Sequence, residues 1–174
     1  MRDYGMNDRV ECRQIREMSI TIWSFTDEFW VVCPQCSKRA LVRRSAETRP
    51  ARLVCASCGT SRSWVCSSPG LLISSRANAW PRGQYAVGDG FDPYFHLPLW
   101  LQIACGGESL WAYNERHLEF IDTYIRAVNR RRAPRLPTGP RNALLESRLP
   151  RWMKLGRNRE AVLAAITKLR ASLT

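Results

Sequence analysis

Short runs of apolar residues with a two-residue rhythm fill the first two thirds of the chain, and a three-and-four repeat takes over towards its end. Phe29-Trp30-Val31-Val32, Ala40-Leu41-Val42, Arg52-Leu53-Val54 and Ser63-Trp64-Val65 read as strands. Residues 67–96 are rich in Gly, Pro, Ser and Asp, which predicts turns with one short strand at Leu71-Leu72-Ile73-Ser74. Leu99 to Cys105 and Glu108 to Tyr113 flank Gly106-Gly107, a link suited to a tight hairpin turn. Alternation places Leu99, Leu101, Ile103 and Cys105 on one face and Trp100 on the other, opposite Trp111 or Tyr113. Those aromatics either lie beneath the next helix or stack on unpaired bases. That helix is expected to start at Asn114 as N-cap and to end near Arg130-Arg131-Arg132. Its apolar stripe is Leu118, Ile121, Ile125 and Val128, and Asp122 and Arg126 form a surface pair. A short helix over 142–149 stops before Pro150, and Trp152-Met153 anchors the turn. The last helix runs from about Arg159 to Leu173, capped by Asn158, with Val162, Ile166, Leu169 and Leu173 on one stripe.

The cysteines change this picture most. Cys33-Pro34-Gln35-Cys36 and Cys55-Ala56-Ser57-Cys58 are two C-x-x-C pairs separated by 18 residues. A two-residue gap lets both sulfurs of a pair face one ion across a tight turn, and the second pair completes a tetrahedron. Pro34 fixes one dihedral of the first turn, and Gly59 permits a positive φ after the last ligand of the second. Four thiolates point to one structural Zn2+, since a catalytic ion more usually keeps an open position beside His or a carboxylate. The competing reading is a redox dithiol or unrelated buried cysteines. Cys12, Cys66 and Cys105 have no such partner and are expected to be small buried residues. A second metal site from Cys66, Cys105, His96 or His117 is the weaker alternative.

Strands entering and leaving two cysteine turns resemble the zinc ribbon, a small three-stranded sheet clamped at one end by zinc, over residues 29–66. The segments 92–114, "DPYFHLPLWLQIACGGESLWAYN", and later "LPRWMK" and "NREAVL" resemble bacterial proteins described as transcription-factor-B-type zinc-ribbon proteins. That resemblance implies metal binding and nucleic-acid contact. The second half departs from transcription factor B, whose core is two cyclin-like helical repeats, so a general initiation role is not implied. The expected fold class is α+β: a three-stranded zinc ribbon followed by a β-hairpin and C-terminal α-helices. The expected division is an N-terminal extension over 1–28, the ribbon over 29–66, and loop, hairpin and helix over 67–132. A basic Pro-rich linker over 133–141 and C-terminal helices over 142–174 complete it. Nothing recognisable precedes Met18, so Met1 and Met18 stand as alternative starts.

Composition and charge narrow the partners. The 174 residues carry 27 Lys and Arg against 15 Asp and Glu, a formal +12 that favours polyanions such as nucleic acid or an anionic surface. The excess sits in residues 29–66, at +6, and residues 114–174, at +9. Four ligand thiolates around a divalent ion would lower the total to about +10. Arg43, Arg44, Arg49 and Arg52 mark the far loop of the ribbon, and Arg130, Arg131, Arg132 and Arg135 a proline-broken linker. Both clusters suit phosphate contacts, and both also suit a solvated surface. No apolar run approaches the ~18 residues of a spanning helix, and no apolar signal core follows Met1, so a cytoplasmic protein without membrane association is expected. Asp89, Asp92 and His96 could be drawn as a catalytic cluster, but Asp beside Gly and Pro is ordinary turn chemistry. The reading is therefore a non-enzymatic zinc protein that binds DNA or RNA through arginines of 43–52 and 130–159. The alternative is a zinc-ribbon adaptor that docks on a larger bacterial complex. A metal-dependent hydrolase or nuclease is a third, poorer reading, with only His96 and His117 and no paired acid motif to carry it.

Overall fold

The computed structural model describes residues 22–44, 51–64, 71–72, 85–86, 90–127 and 149–173. It is an α+β arrangement. Four antiparallel strands, β1 (Glu28–Val32), β2 (Arg39–Arg44), β3 (Ala51–Val54) and β4 (Ser61–Trp64), pair in chain order. The sheet therefore has four strands where three were expected. Residues 61–64 pair with β3 along their whole length, from Val54 opposite Ser61 to Ala51 opposite Trp64. A two-strand parallel pair joins β5 (Leu71–Leu72) to β6 (Tyr85–Ala86), so the single strand expected over 71–74 has a partner.

The hairpin lies where the glycines place it: β7 (Leu101–Cys105) and β8 (Glu108–Ala112) pair across Gly106 and Gly107. Both glycines have positive φ, 62° and 83°, which a two-residue turn of this kind requires. Two helices follow, α1 (Glu115–Arg126) and α2 (Arg159–Ala171). Leu118, Ile121 and Ile125 of α1 and Val162, Ile166 and Leu169 of α2 are buried along the expected stripes. Short 3-10 turns at Arg151–Lys154 and Gly156–Asn158 lead into α2, with Met153 buried beneath the first. Val128, the arginine-rich linker and residues 142–148 of the helix expected over 142–149 lie outside the described residues, while Leu149 lies buried at a bend.

One core runs through sheet, hairpin and helices. Phe29, Val31, Ala40, Val42, Ala51 and Leu53 turn inward from β1 to β3 and join Leu99, Leu101, Leu110, Tyr113, Leu118 and Ile166. The outer edge of β1 is also used. Trp30 N–H donates to the Tyr113 carbonyl at 2.7 Å, Trp100 N–H to the Trp30 carbonyl at 2.8 Å, and Val32 N–H to the Pro98 carbonyl at 2.9 Å. Phe29 meets Tyr113 edge-on, with ring centroids 4.8 Å apart. These contacts fix the hairpin against the sheet and protect an edge that would otherwise offer unpaired backbone groups.

Several polar side chains hold the junctions. Asn114 caps α1 by accepting the His117 amide at 3.0 Å, as expected. Its amide group also donates to the carbonyls of Phe25, at 3.0 Å, and Glu28, at 2.9 Å, so it ties the helix start to β1 and to a 3-10 turn at Ile22–Phe25. Asp122 does pair with Arg126, at 2.8 Å, but its side chain is buried rather than on the surface, because Arg170 of α2 reaches it at 2.9 Å. Asn158 stands at the start of α2 without a capping bond. Its amide instead donates to the Trp152 carbonyl at 2.9 Å, since the preceding 3-10 turn already directs the chain into the helix. Among the described residues no helix is long and apolar enough to cross a membrane.

Candidate metal centre

The turns that join β1 to β2 and β3 to β4 lie at the same end of the sheet, and each begins with one C-x-x-C pair. They are two copies of one structure. Cys33 N–H donates to the Lys38 carbonyl and Cys55 N–H to the Thr60 carbonyl, both at 2.8 Å. Ser37 N–H returns to the Cys33 carbonyl and Gly59 N–H to the Cys55 carbonyl, both at 2.9 Å. The fifth residue of each turn is left-handed, Ser37 at φ 57° and Gly59 at φ 72°.

This duplication brings the four sulfurs together. All lie within 4.8 Å of one another, with Cys33 Sγ 3.7 Å from Cys58 Sγ and Cys36 Sγ 3.6 Å from Cys55 Sγ. Those separations are far too long for disulfides, whose sulfurs bond at about 2.05 Å. They leave room for one ion coordinated from four sides, so the cluster can hold a metal. Among the described residues it is the one group of three or more ligating side chains so gathered. Cys33 and Cys55 are buried, whereas Cys36 is half-buried and Cys58 exposed, so the cluster opens to solvent on one side.

The thiols differ in proton affinity in the way crowded sulfurs should. Hydrogen bonds from the Thr60 hydroxyl and amide hold Cys58 down to about 6. At Cys33 burial works upward, but the amides of Cys36 and Gln35 and the neighbouring sulfurs carry the thiol below its ordinary value. At Cys36 the Lys38 amide works downward, yet burial and the three other sulfurs prevail and push it up to about 12. Four adjacent sulfurs cannot all be anionic unless a cation sits among them. The Gln35 amide, 3.4 Å from Cys33 Sγ, and the Thr60 hydroxyl, 3.1 Å from Cys58 Sγ, supply the outer hydrogen bonds that orient thiolate ligands.

The remaining candidates separate clearly. Cys105 is buried in the core and its thiol is raised by burial. His117 is buried against Phe25, Trp111 and Tyr113, away from any gathered ligand set, and His96 is exposed. Asp92 is fully buried, and its carboxylate accepts the amides of Tyr94, Phe95 and Leu97 at 3.0, 2.8 and 2.7 Å. That is turn chemistry. Trp111 packs on Tyr113 and on His117 of α1, so it is committed to the helix interface. Cys12, Cys66 and Asp89 lie outside the described residues.

Of the arginines singled out for phosphate contact, Arg43, Arg44 and Arg52 are described. All three are exposed, and Arg43 faces Arg52 across β2 and β3. Arg43 Nε lies 3.2 Å from Glu28 Oε2, and Arg52 Nε donates to the Ser61 hydroxyl at 3.2 Å. Arg49, Arg130, Arg131, Arg132 and Arg135 lie outside the described residues. Arg39 was not singled out, although its guanidinium sits 4.7 Å from the centre of the Trp30 ring. Arg39 stands opposite Val32 on β1, two residues along from Trp30, so the contact is a diagonal one that only the strand register reveals. No family model, curated protein or solved structure matches this chain.

Proposed function

We propose that the chain is a non-enzymatic zinc-ribbon protein that binds nucleic acid, with zinc holding the sheet and arginines contacting phosphates. The observation that carries the reading is the four-sulfur cluster at one end of a sheet that displays Arg39, Arg43 and Arg52. Zinc fits the donors: Zn–S bonds of about 2.3 Å arranged as a tetrahedron put sulfurs about 3.8 Å apart. The pairs at 3.6 and 3.7 Å approach that spacing. Four thiolates leave no open position, so the ion supplies rigidity rather than Lewis-acid chemistry. The guanidinium groups of Arg43, Arg44 and Arg52, with those of the 130–159 region, would neutralise phosphates with little sequence preference.

The test is binding of a fluorescent oligonucleotide to the full chain at two salt concentrations. The reading expects affinity that falls steeply with salt and is abolished by joint charge reversal of Arg43, Arg44, Arg130, Arg131 and Arg132. No binding at low salt, or binding indifferent to salt, would favour the adaptor reading instead.

A further inference from the structure

The outward side of the four-stranded sheet is ordered in rows. At the end away from the cysteines, Glu28, Arg43 and Arg52 stand side by side on β1, β2 and β3, with Ser63 beyond them. The next row is Trp30, Leu41, Val54 and Ser61, and at the cysteine end Val32 stands beside Arg39. Phe29, Val31, Ala40, Val42, Ala51 and Leu53 occupy the opposite face and are buried. An apolar row is thus bounded by cations on both sides. Arg39 and Arg43 are four residues apart on one strand, which separates the two cationic rows by roughly 13 Å.

The row is available for contact. Val54 is 43% exposed, one of two large apolar residues so open among those described. Trp30 and Leu41 are half-buried, and Arg39, Arg43, Arg52, Ser61 and Ser63 are exposed. The indole of Trp30 is also held in place. Its Nε1–H donates to Glu28 Oε1 at 2.8 Å, while the other carboxylate oxygen holds Arg43. Glu28 therefore costs the face one charge and in return fixes both an aromatic plane and a guanidinium.

We infer that this face is a stacking platform for single-stranded nucleic acid, with bases lying on the Trp30, Leu41 and Val54 row and phosphates reaching Arg39, Arg43 and Arg52. The inference rests on the nucleic-acid reading above and narrows it. An apolar row flanked by guanidinium groups matches an unpaired strand, which can lay base faces on the row and bring its phosphates to the cations beside it. A duplex hides its base faces and offers only phosphates. Arg39, already against the Trp30 ring, either pairs with a phosphate or presents its own plane to a base, and both modes suit unpaired nucleotides.

The experiment compares the zinc-loaded full chain with Trp30→Ala, Trp30→Phe and Arg39→Glu, using a fluorescent 12-mer of thymidine and a duplex of equal length. Zinc content and thermal midpoint verify each fold. The wild type should prefer the single strand. Trp30→Ala should weaken that binding by about tenfold with an unchanged salt slope, and Trp30→Phe should restore most of it. Arg39→Glu, at an exposed site, should weaken single-strand binding whether or not the Trp30 variants fold. Equal binding of both oligonucleotides by all the folded variants overturns the platform and leaves the phosphate-contact reading standing. Failure of the wild type to bind either oligonucleotide overturns both, and would leave the face to a protein partner.

Discussion

Ser37 and Gly59 occupy the same position in two copies of one turn, each four residues after the first cysteine and each with positive φ, 57° and 72°. The hydrogen bonds that define the position are the same length in both copies. A side chain there meets the ordinary left-handed penalty, which only glycine escapes.

The paired turns therefore predict substitutions of opposite sign. Open space surrounds the site where a Cβ would stand on Gly59, so Gly59→Ser meets the backbone penalty, partly offset by a stiffer unfolded chain, and should cost about 0.5–1 kcal/mol. Ser37→Gly relieves the same strain but loosens the unfolded chain, and should gain up to about 0.5 kcal/mol. Denaturant unfolding at saturating zinc measures both. Changes of the same sign would show that the two turns are not equivalent in energy.

Asn114 makes a second prediction because it does two jobs. Asn114→Asp keeps an acceptor for the His117 amide but removes the donors to the Phe25 and Glu28 carbonyls. It should cost about 1–3 kcal/mol, where a residue acting only as an N-cap would tolerate the change. Equal unfolding free energies for Asn114→Asp and the wild type would remove the bridge from the account.

His117 gives the fold a pH dependence. Burial lowers its pKa from 6.5 to about 3, Nδ1 accepts the Tyr113 amide at 3.3 Å, and Nε2 has no partner among the described residues. The folded state thus prefers neutral imidazole, while the unfolded chain takes up a proton near pH 6.5. The stabilising effect is complete above that pH and is lost as pH falls from about 6.5 towards about 3. The slope is up to about 1.4 kcal/mol per pH unit. Unfolding free energies between pH 7 and 5 should fall more steeply for the wild type than for His117→Phe. Parallel curves would contradict a buried neutral histidine.

What could be read from the sequence was local. The C-x-x-C spacing announced a cluster, Gly106-Gly107 announced the hairpin, and the periodic stripes of both helices face the core. Residues whose roles depend on distant partners were not legible. Ile22 and Phe25 are buried in a segment where no element was recognised, and the rings that pack on Phe25, those of His117 and Phe120, belong to α1, which follows much later in the chain. Asp122 looked like a surface partner of Arg126 because Arg170, 48 positions later, supplies the second guanidinium. Asn158 read as a cap from its position alone, but a nearby carbonyl had claimed its side chain. The apolar row on the outer face was hidden for the same reason: only strand register places Trp30, Leu41 and Val54 side by side.

The central claim is that one zinc ion on Cys33, Cys36, Cys55 and Cys58 organises the sheet, and through the Trp30 bonds to Trp100 and Tyr113 steadies the hairpin. Elemental analysis combined with native mass spectrometry of the purified chain tests it most directly. The account predicts one zinc per chain in the wild type and almost none in Cys55→Ser, which loses on the order of 10 kcal/mol of metal binding. A folded wild-type chain free of zinc, with four thiols open to alkylation or joined as disulfides, would contradict it.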